Sequence, residues 1–115
     1  MRVEKDLLRG AGPAAVLSLL ESGEKYGYEL VTLLDRRSDG ILAMGQSTLY
    51  PLLYNLEAKG FVDAREEVAP DTNRPRKYYR LTDKGKKELV RERQQFENLS
   101  LALGKLGLLN PARLA

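Results

Sequence analysis

Gln46-Ser47-Thr48-Leu49-Tyr50-Pro51-Leu52-Leu53-Tyr54-Asn55-Leu56-Glu57-Ala58-Lys59-Gly60 runs directly into Phe61-Val62-Asp63-Ala64-Arg65-Glu66-Glu67-Val68, and this junction decides the fold. In the first run, Leu49, Leu52, Leu53 and Leu56 recur at i, i+3, i+4 and i+7, the single apolar stripe of an amphipathic helix. Ser47 is the expected N-cap, its hydroxyl accepting a free backbone N–H of the first turn. Pro51 then falls early, where a missing N–H costs least, and Gly60 closes the helix. The second run reads as a strand. Its partner is Arg76-Lys77-Tyr78-Tyr79-Arg80-Leu81, and Ala69-Pro70-Asp71-Thr72-Asn73-Arg74-Pro75 between them is dense in turn formers. That pattern predicts a β-hairpin with a long tip.

Upstream, two more helices are expected. Lys5 to about Glu21 carries Leu7, Leu8, Ala11, Ala14, Ala15, Leu17, Leu19 and Leu20 on several faces, and a helix apolar on most sides is covered on most sides. In a small protein that cover points to a partner subunit. Gly12-Pro13 is expected to start or bend this helix, and Ser22-Gly23 to end it. The second helix runs from Tyr26 to about Ser38, with Leu30, Leu33 and Leu34 at helical spacing and a stop at Ser38-Asp39-Gly40. Downstream, Thr82 is a natural N-cap for a last helix, with Asp83 in its favourable first turn. There Leu89, Phe96 and Leu103 stand seven apart, interleaved by Leu99 and Leu106. They form a partial heptad interrupted by Glu92.

Composition narrows the chemistry. The chain has 115 residues with no Cys, no His and no Trp, a length suited to one domain. The missing residues remove disulfides, the commonest general base and the commonest zinc ligands. No acid pair, nucleophile motif or Gly-rich phosphate loop is present, so no enzyme and no cofactor is expected. No run reaches the roughly 18 apolar residues of a membrane span, and Met1-Arg2-Val3-Glu4-Lys5-Asp6 lacks the apolar region of a signal peptide. The chain reads as cytoplasmic. The net charge is only +3, but Arg74, Arg76, Lys77, Arg80, Lys84, Lys86, Lys87, Arg91 and Arg93 crowd one stretch, opposed within it by Asp83, Glu88 and Glu92. Such a run is either a solvated face or a surface for a polyanion.

Helix, helix, helix, hairpin, helix is the order of a winged helix-turn-helix. The fold class expected is mainly α with a small β-hairpin and a C-terminal dimerisation helix. The expected partner is double-stranded DNA. Thr48, Tyr50, Tyr54, Asn55 and Lys59, with Ser47 and Pro51 beside them, stand on the exposed face of the third helix, where hydroxyl, amide and apolar groups read base edges. Arg74, Arg76 and Lys77 at the wing reach phosphates or the minor groove. Tyr28, beside Gly27 at the second helix's N-terminus, is placed to meet a phosphate. A winged-helix module that docks protein rather than DNA stays open on these residues, because fold alone does not settle function.

These motifs resemble the PadR family of bacterial transcriptional regulators. The resemblance lies in Tyr26-Gly27-Tyr28-Glu29-Leu30, Ser47-Thr48-Leu49-Tyr50-Pro51-Leu52-Leu53, Leu56-Glu57-Ala58-Lys59-Gly60 and Arg76-Lys77-Tyr78-Tyr79-Arg80-Leu81-Thr82-Asp83-Lys84-Gly85, in that order. It implies a homodimer on an inverted repeat, usually repressing a promoter, and in many members a small apolar or aromatic effector that releases the DNA. By length the chain resembles the short subfamily with one C-terminal helix. Some short members stack drugs on Trp residues; here Phe96 is the only aromatic side chain in the last helix. The expected organisation is 1–81 for the DNA-binding unit, 82–107 for the dimerisation helix and 108–115 for a tail. Leu8, Leu89, Phe96, Leu99, Leu103 and Leu106 are the residues expected at a dimer interface or effector pocket.

Overall fold

Three leucines of one stripe anchor the structure: Leu49, Leu53 and Leu56 are buried beneath the helix that carries them. A computed structural model describes residues 1–110. Its elements are α1 (Lys5–Leu20), β1 (Lys25–Tyr26), α2 (Gly27–Arg37), α3 (Gln46–Ala58), β2 (Val62–Val68), β3 (Pro75–Leu81) and α4 (Asp83–Lys105). The strands form an antiparallel sheet in the order β1-β3-β2. Of the tail expected at 108–115, residues 111–115 lie outside the described residues. Leu108–Asn110 follow the helix end, where Gly107 takes a positive φ of 81°.

The core joins α1 (Val16, Leu17, Leu20), α2 (Leu30, Leu33, Leu34), α3, Met44 of the α2–α3 connector, Val62 of β2, Tyr79 of β3 and Leu89 of α4. Gly12 and Pro13 do not interrupt α1, which starts at Lys5 and keeps Pro13 inside it. Gly12 has a different role. A Cβ there would come within 3.1 Å of Leu52 Cδ1 and 3.3 Å of Met44 Cε, so glycine lets α1 approach α3 and the connector closely.

The start of α3 differs from the sequence expectation. Gly45, not Ser47, is the N-cap, and its carbonyl accepts from the N–H groups of Thr48 at 3.1 Å and Leu49 at 3.0 Å. Pro51 therefore lies beyond the first turn. The carbonyl it cannot bond belongs to Ser47, an exposed residue, so solvent can satisfy it.

Thr82 caps α4 as its sequence position predicts: its hydroxyl accepts from Gly85 N–H at 2.9 Å and donates to the Gly60 carbonyl at 2.6 Å. Its own N–H donates to the Phe61 carbonyl at 3.1 Å. These bonds fix α4 to the junction between α3 and β2. Beyond Leu89 no residue of α4 belongs to the core cluster. A 23-residue helix is about 35 Å long at 1.5 Å per residue, and the body is accordingly drawn out to 52 × 30 × 23 Å.

The hairpin is longer than a tight turn allows, as expected. Val62 to Val68 pairs with Leu81 to Pro75, and the tip is closed by Ala69 N–H on the Arg74 carbonyl and Asn73 N–H on the Ala69 carbonyl, both at 2.8 Å. Strand β1 is an addition. Lys25 and Tyr26 pair with Tyr79 and Tyr78, tying the start of α2 to the wing.

Candidate nucleic-acid interface

One close contact ties α3 to the start of α2. Tyr50 of α3 lays its ring on Gly27, the first residue of α2; a Cβ at Gly27 would lie 2.6 Å from Tyr50 Cε1 and 2.7 Å from its hydroxyl. The Tyr26 N–H donates to the Glu29 carboxylate at 3.3 Å, which steadies the same helix end. Tyr50 is thus half-buried and its ring is committed to packing, while Tyr28, one residue past Gly27, is exposed.

The side chains expected to read DNA divide into two flanks of α3. Tyr28, Tyr50, Arg76 and Lys77 converge on a cavity of about 550 Å³ between α2, α3 and the wing, together with Tyr26, Gly27, Tyr54, Pro75 and Tyr79. Thr48, Pro51, Asn55 and Lys59 instead line an open groove of about 1140 Å³ that also takes in Leu8 and Pro13 of α1 and Glu88 and Glu92 of α4. Ser47 is exposed and borders neither hollow. Arg74 is exposed at the wing tip, apart from both groups, with no ion pair among the described residues. At the groove wall Arg91 bonds Glu88 and Glu92. It holds the Glu88 carboxyl below its usual range, while burial pushes Glu92 up.

The basic stretch is far less bare than a count along the chain suggests. Arg76 pairs with Asp71 at 3.0 Å, Lys77 with Glu57 at 3.4 Å, Arg80 with Asp63 at 3.4 Å, Arg93 with Glu21 at 2.6 Å and Arg91 with Glu88 at 2.7 Å. Asp71, Glu57, Asp63 and Glu21 all lie outside the run from Arg74 to Arg93, so its neutralisation is mostly three-dimensional. Glu57, which along α3 offsets Lys59, reaches Lys77 instead. Arg74, Lys84, Lys86 and Lys87 carry no ion pair among the described residues; Lys84 bonds the Lys59 carbonyl at 2.9 Å.

Tyrosine rings hold these cations in place. Arg76 sits 4.5 Å over Tyr26, and Lys77 lies 5.1 Å from Tyr54 and 5.6 Å from Tyr79, within the reach of a cation–π contact. The sequence reading passes over Tyr26, Asp71 and Glu57 as members of this site. Tyr26 earns its place through a two-residue strand, too short for any alternation to reveal.

Tyr79, at the floor of the cavity, is fully buried, and its hydroxyl has no hydrogen-bond partner among the described residues. Burial first, then the nearby Tyr54 and Glu57, push the phenol up to about 12. An unsatisfied buried hydroxyl is a standing cost. Tyr79→Phe is expected to stabilise the fold by about 1 kcal/mol, read in a thermal melt as a rise of a few degrees. A fall of that size would instead show that the hydroxyl is bonded.

Leu8 and Leu89, expected at a dimer face, are 8% and 3% exposed in the core of the single chain. They meet α1-to-α4 packing within the subunit. Phe96 and Leu103 are half-buried, whereas Leu99 and Leu106 stand 50% and 81% exposed. Among the described residues no helix is long and apolar enough to cross a membrane, and no group of acidic residues is arranged to hold a metal ion.

The pattern of the transcriptional regulator PadR-like family matches residues 16–91, from the core of α1 through the wing to the first part of α4. This chain belongs to the PadR-like family of transcriptional regulators. A PadR family transcriptional regulator from Eggerthella lenta superposes with a TM-score of 0.76 at 37% identity, covering 91% of this chain and 88% of that one. An uncharacterised protein of Lysinibacillus sphaericus is 33% identical over 93 residues, 78% of this chain and 84% of the relative. The negative transcriptional regulator PadR of Bacillus subtilis is 35% identical over 75 residues, 65% of this chain but 41% of that regulator. Its crystal structure in complex with operator DNA matches with a TM-score of 0.63 at 33% identity, covering 69% of this chain and 45% of that chain. The matched part of this chain spans less than half the length of the Bacillus protein.

Proposed function

We propose that this PadR-like regulator binds double-stranded DNA sequence-specifically as a homodimer, on an inverted repeat, and represses transcription. The observation that carries the reading is the likeness of about two thirds of this chain to a relative solved on operator DNA. That relative is a negative regulator, which favours repression. In this reading residues 1–81 form the DNA-binding unit and 82–107 the dimerisation helix. The exposed residues of α3, Ser47, Thr48, Pro51, Tyr54 and Asn55, enter the major groove, Lys59 stands at the groove's edge, and Tyr28, Arg74, Arg76 and Lys77 meet the backbone. The regulator works in the cytoplasm and catalyses no reaction. A small apolar or aromatic effector would lodge between the subunits, against Phe96, Leu99 and Leu103.

Selection of bound duplexes from a random pool, followed by anisotropy titration, tests the core of this reading. An enriched inverted repeat and a salt-dependent affinity are expected. Absence of binding to every duplex at low salt overturns it. A second reading has one observation in its favour: a wing whose Arg76 and Lys77 are already paired suits a protein-docking module. Under that reading the selection returns no enriched sequence.

A further inference from the structure

We infer that Asp71 and Glu57 are stand-ins for DNA phosphates: each carboxylate holds a wing cation in the free protein and must yield it when the backbone arrives. The inference rests on the DNA-binding reading and goes beyond it, because it assigns the affinity and salt sensitivity of binding to two acidic residues.

The geometry is the same at both positions. Arg76 is held from one side by the Tyr26 ring, 4.5 Å away, and its guanidinium reaches Asp71 Oδ2 at 3.0 Å. Lys77 is held by the Tyr54 and Tyr79 rings, and its ammonium reaches Glu57 Oε1 at 3.4 Å. In each case a tyrosine ring lies within cation–π reach of the cation, and a carboxylate is its anionic acceptor. Take away the carboxylate and the cation keeps its ring contact but loses its anionic acceptor. A phosphate oxygen has the charge and acceptor chemistry to fill the vacated position.

Both carboxylates are exchangeable. The Asp71 side chain is 63% exposed and Glu57 37%, and ion pairs at such exposure are weak and screened by salt. A phosphate can therefore displace them, but each displacement cancels part of the gain. Binding to phosphate alone is thereby held down. The five aromatic rings around the cavity do not by themselves make an anion site, since Lys77 already lies against two of them and Glu57 neutralises it.

The test is a salt series of anisotropy titrations on the intact protein with Asp71→Asn and Glu57→Gln. Both substitutions keep shape and remove charge, and the exposed Asp71 lies in a turn that Asn suits. Each variant is expected to bind about two- to fivefold more tightly near 0.1 M salt. The slope of log affinity against log salt should steepen by up to about 0.9, one further phosphate engaged. The gain should be equal on a selected duplex and an unrelated one, because phosphate contacts carry no sequence information. In an Arg76→Ala background, Asp71→Asn should lose its effect. The inference is overturned if wild type binds but the variants bind equally or more weakly, if the gain persists without Arg76, or if it appears on the selected duplex alone. Should Asp71→Asn fail to fold by circular dichroism, Asp71→Ser and the independent Glu57→Gln carry the same test. Wild type that binds no duplex sinks the DNA-binding reading itself, a result separate from these.

Discussion

Gly85→Ala is expected to destabilise this protein by roughly 3 kcal/mol, the upper part of the range for overpacking a close contact, and to lower its melting temperature by on the order of 10 °C. The reason is a backbone contact that no side chain can relieve. A Cβ at Gly85 would stand 1.9 Å from the Phe61 carbonyl oxygen and 2.9 Å from its carbon. The same carbonyl accepts from Thr82 N–H at 3.1 Å, and Thr82 also holds Gly60 through its hydroxyl. So the start of α4 cannot back away from Phe61 without breaking the cap that starts it. An accommodating shift would also move β2 relative to α3, the two elements whose spacing sets the wing against the reading helix. A thermal melt followed by circular dichroism checks the claim. A midpoint within two or three degrees of wild type would show that the junction is softer than its hydrogen bonds indicate.

This contact explains why Gly85 ends the longest of the motifs that carry the family resemblance, and the motif itself gives no hint of it. Local features were legible along the chain. Leu49, Leu53 and Leu56 announce α3 by spacing, Thr82 announces α4 by its hydroxyl, and the turn formers from Ala69 to Pro75 announce the wing. Each depends on neighbours within a turn or two. Features that depend on distant partners were not legible. Ser47 is as good a cap by composition as any residue near it, yet Gly45 is the N-cap, directly after Met44, which lies in the core. β1 exists only because β3, more than fifty residues away, supplies its partner. The net charge of the wing depends on Asp71 at the tip and on Glu57 of another element, so a list of bases between Arg74 and Arg93 overstates what DNA would meet. The division of Thr48 and Asn55 from Tyr50 across α3 was readable in principle from helical geometry. What lies on each side was not.

If the proposed dimer forms through α4, Leu99→Glu combined with Leu106→Glu is expected to leave a monomer and to weaken DNA binding by about 100-fold, while the winged unit keeps its fold. The distal half of α4 is apolar on more than one side. Phe96, Leu99, Leu103 and Leu106 form one stripe at spacings of three and four. Leu101 stands about 200° around the helix from Leu99, on the same side as Val90; both are exposed in the single chain. Covering each such leucine recovers about 1.5–3 kcal/mol, and the subunit's own core stops at Leu89. In the proposed homodimer a second copy of the same helix would meet this need with the same residues, as a two-fold interface requires. Two glutamates in the first stripe place like charges opposite each other and remove the apolar gain. Because neither leucine belongs to the core cluster, circular dichroism should find the winged unit unchanged. A dimer holds two reading heads at fixed separation, and losing that linkage costs about 10²–10⁴ in affinity. Sedimentation at micromolar concentration reads the first half of the prediction and anisotropy the second. If the variant still sediments as a dimer, the interface lies elsewhere, with the groove between α1, α3 and α4 the next face to test. A monomer that keeps wild-type affinity would mean that one winged unit suffices for DNA, and the inverted repeat would lose its physical basis.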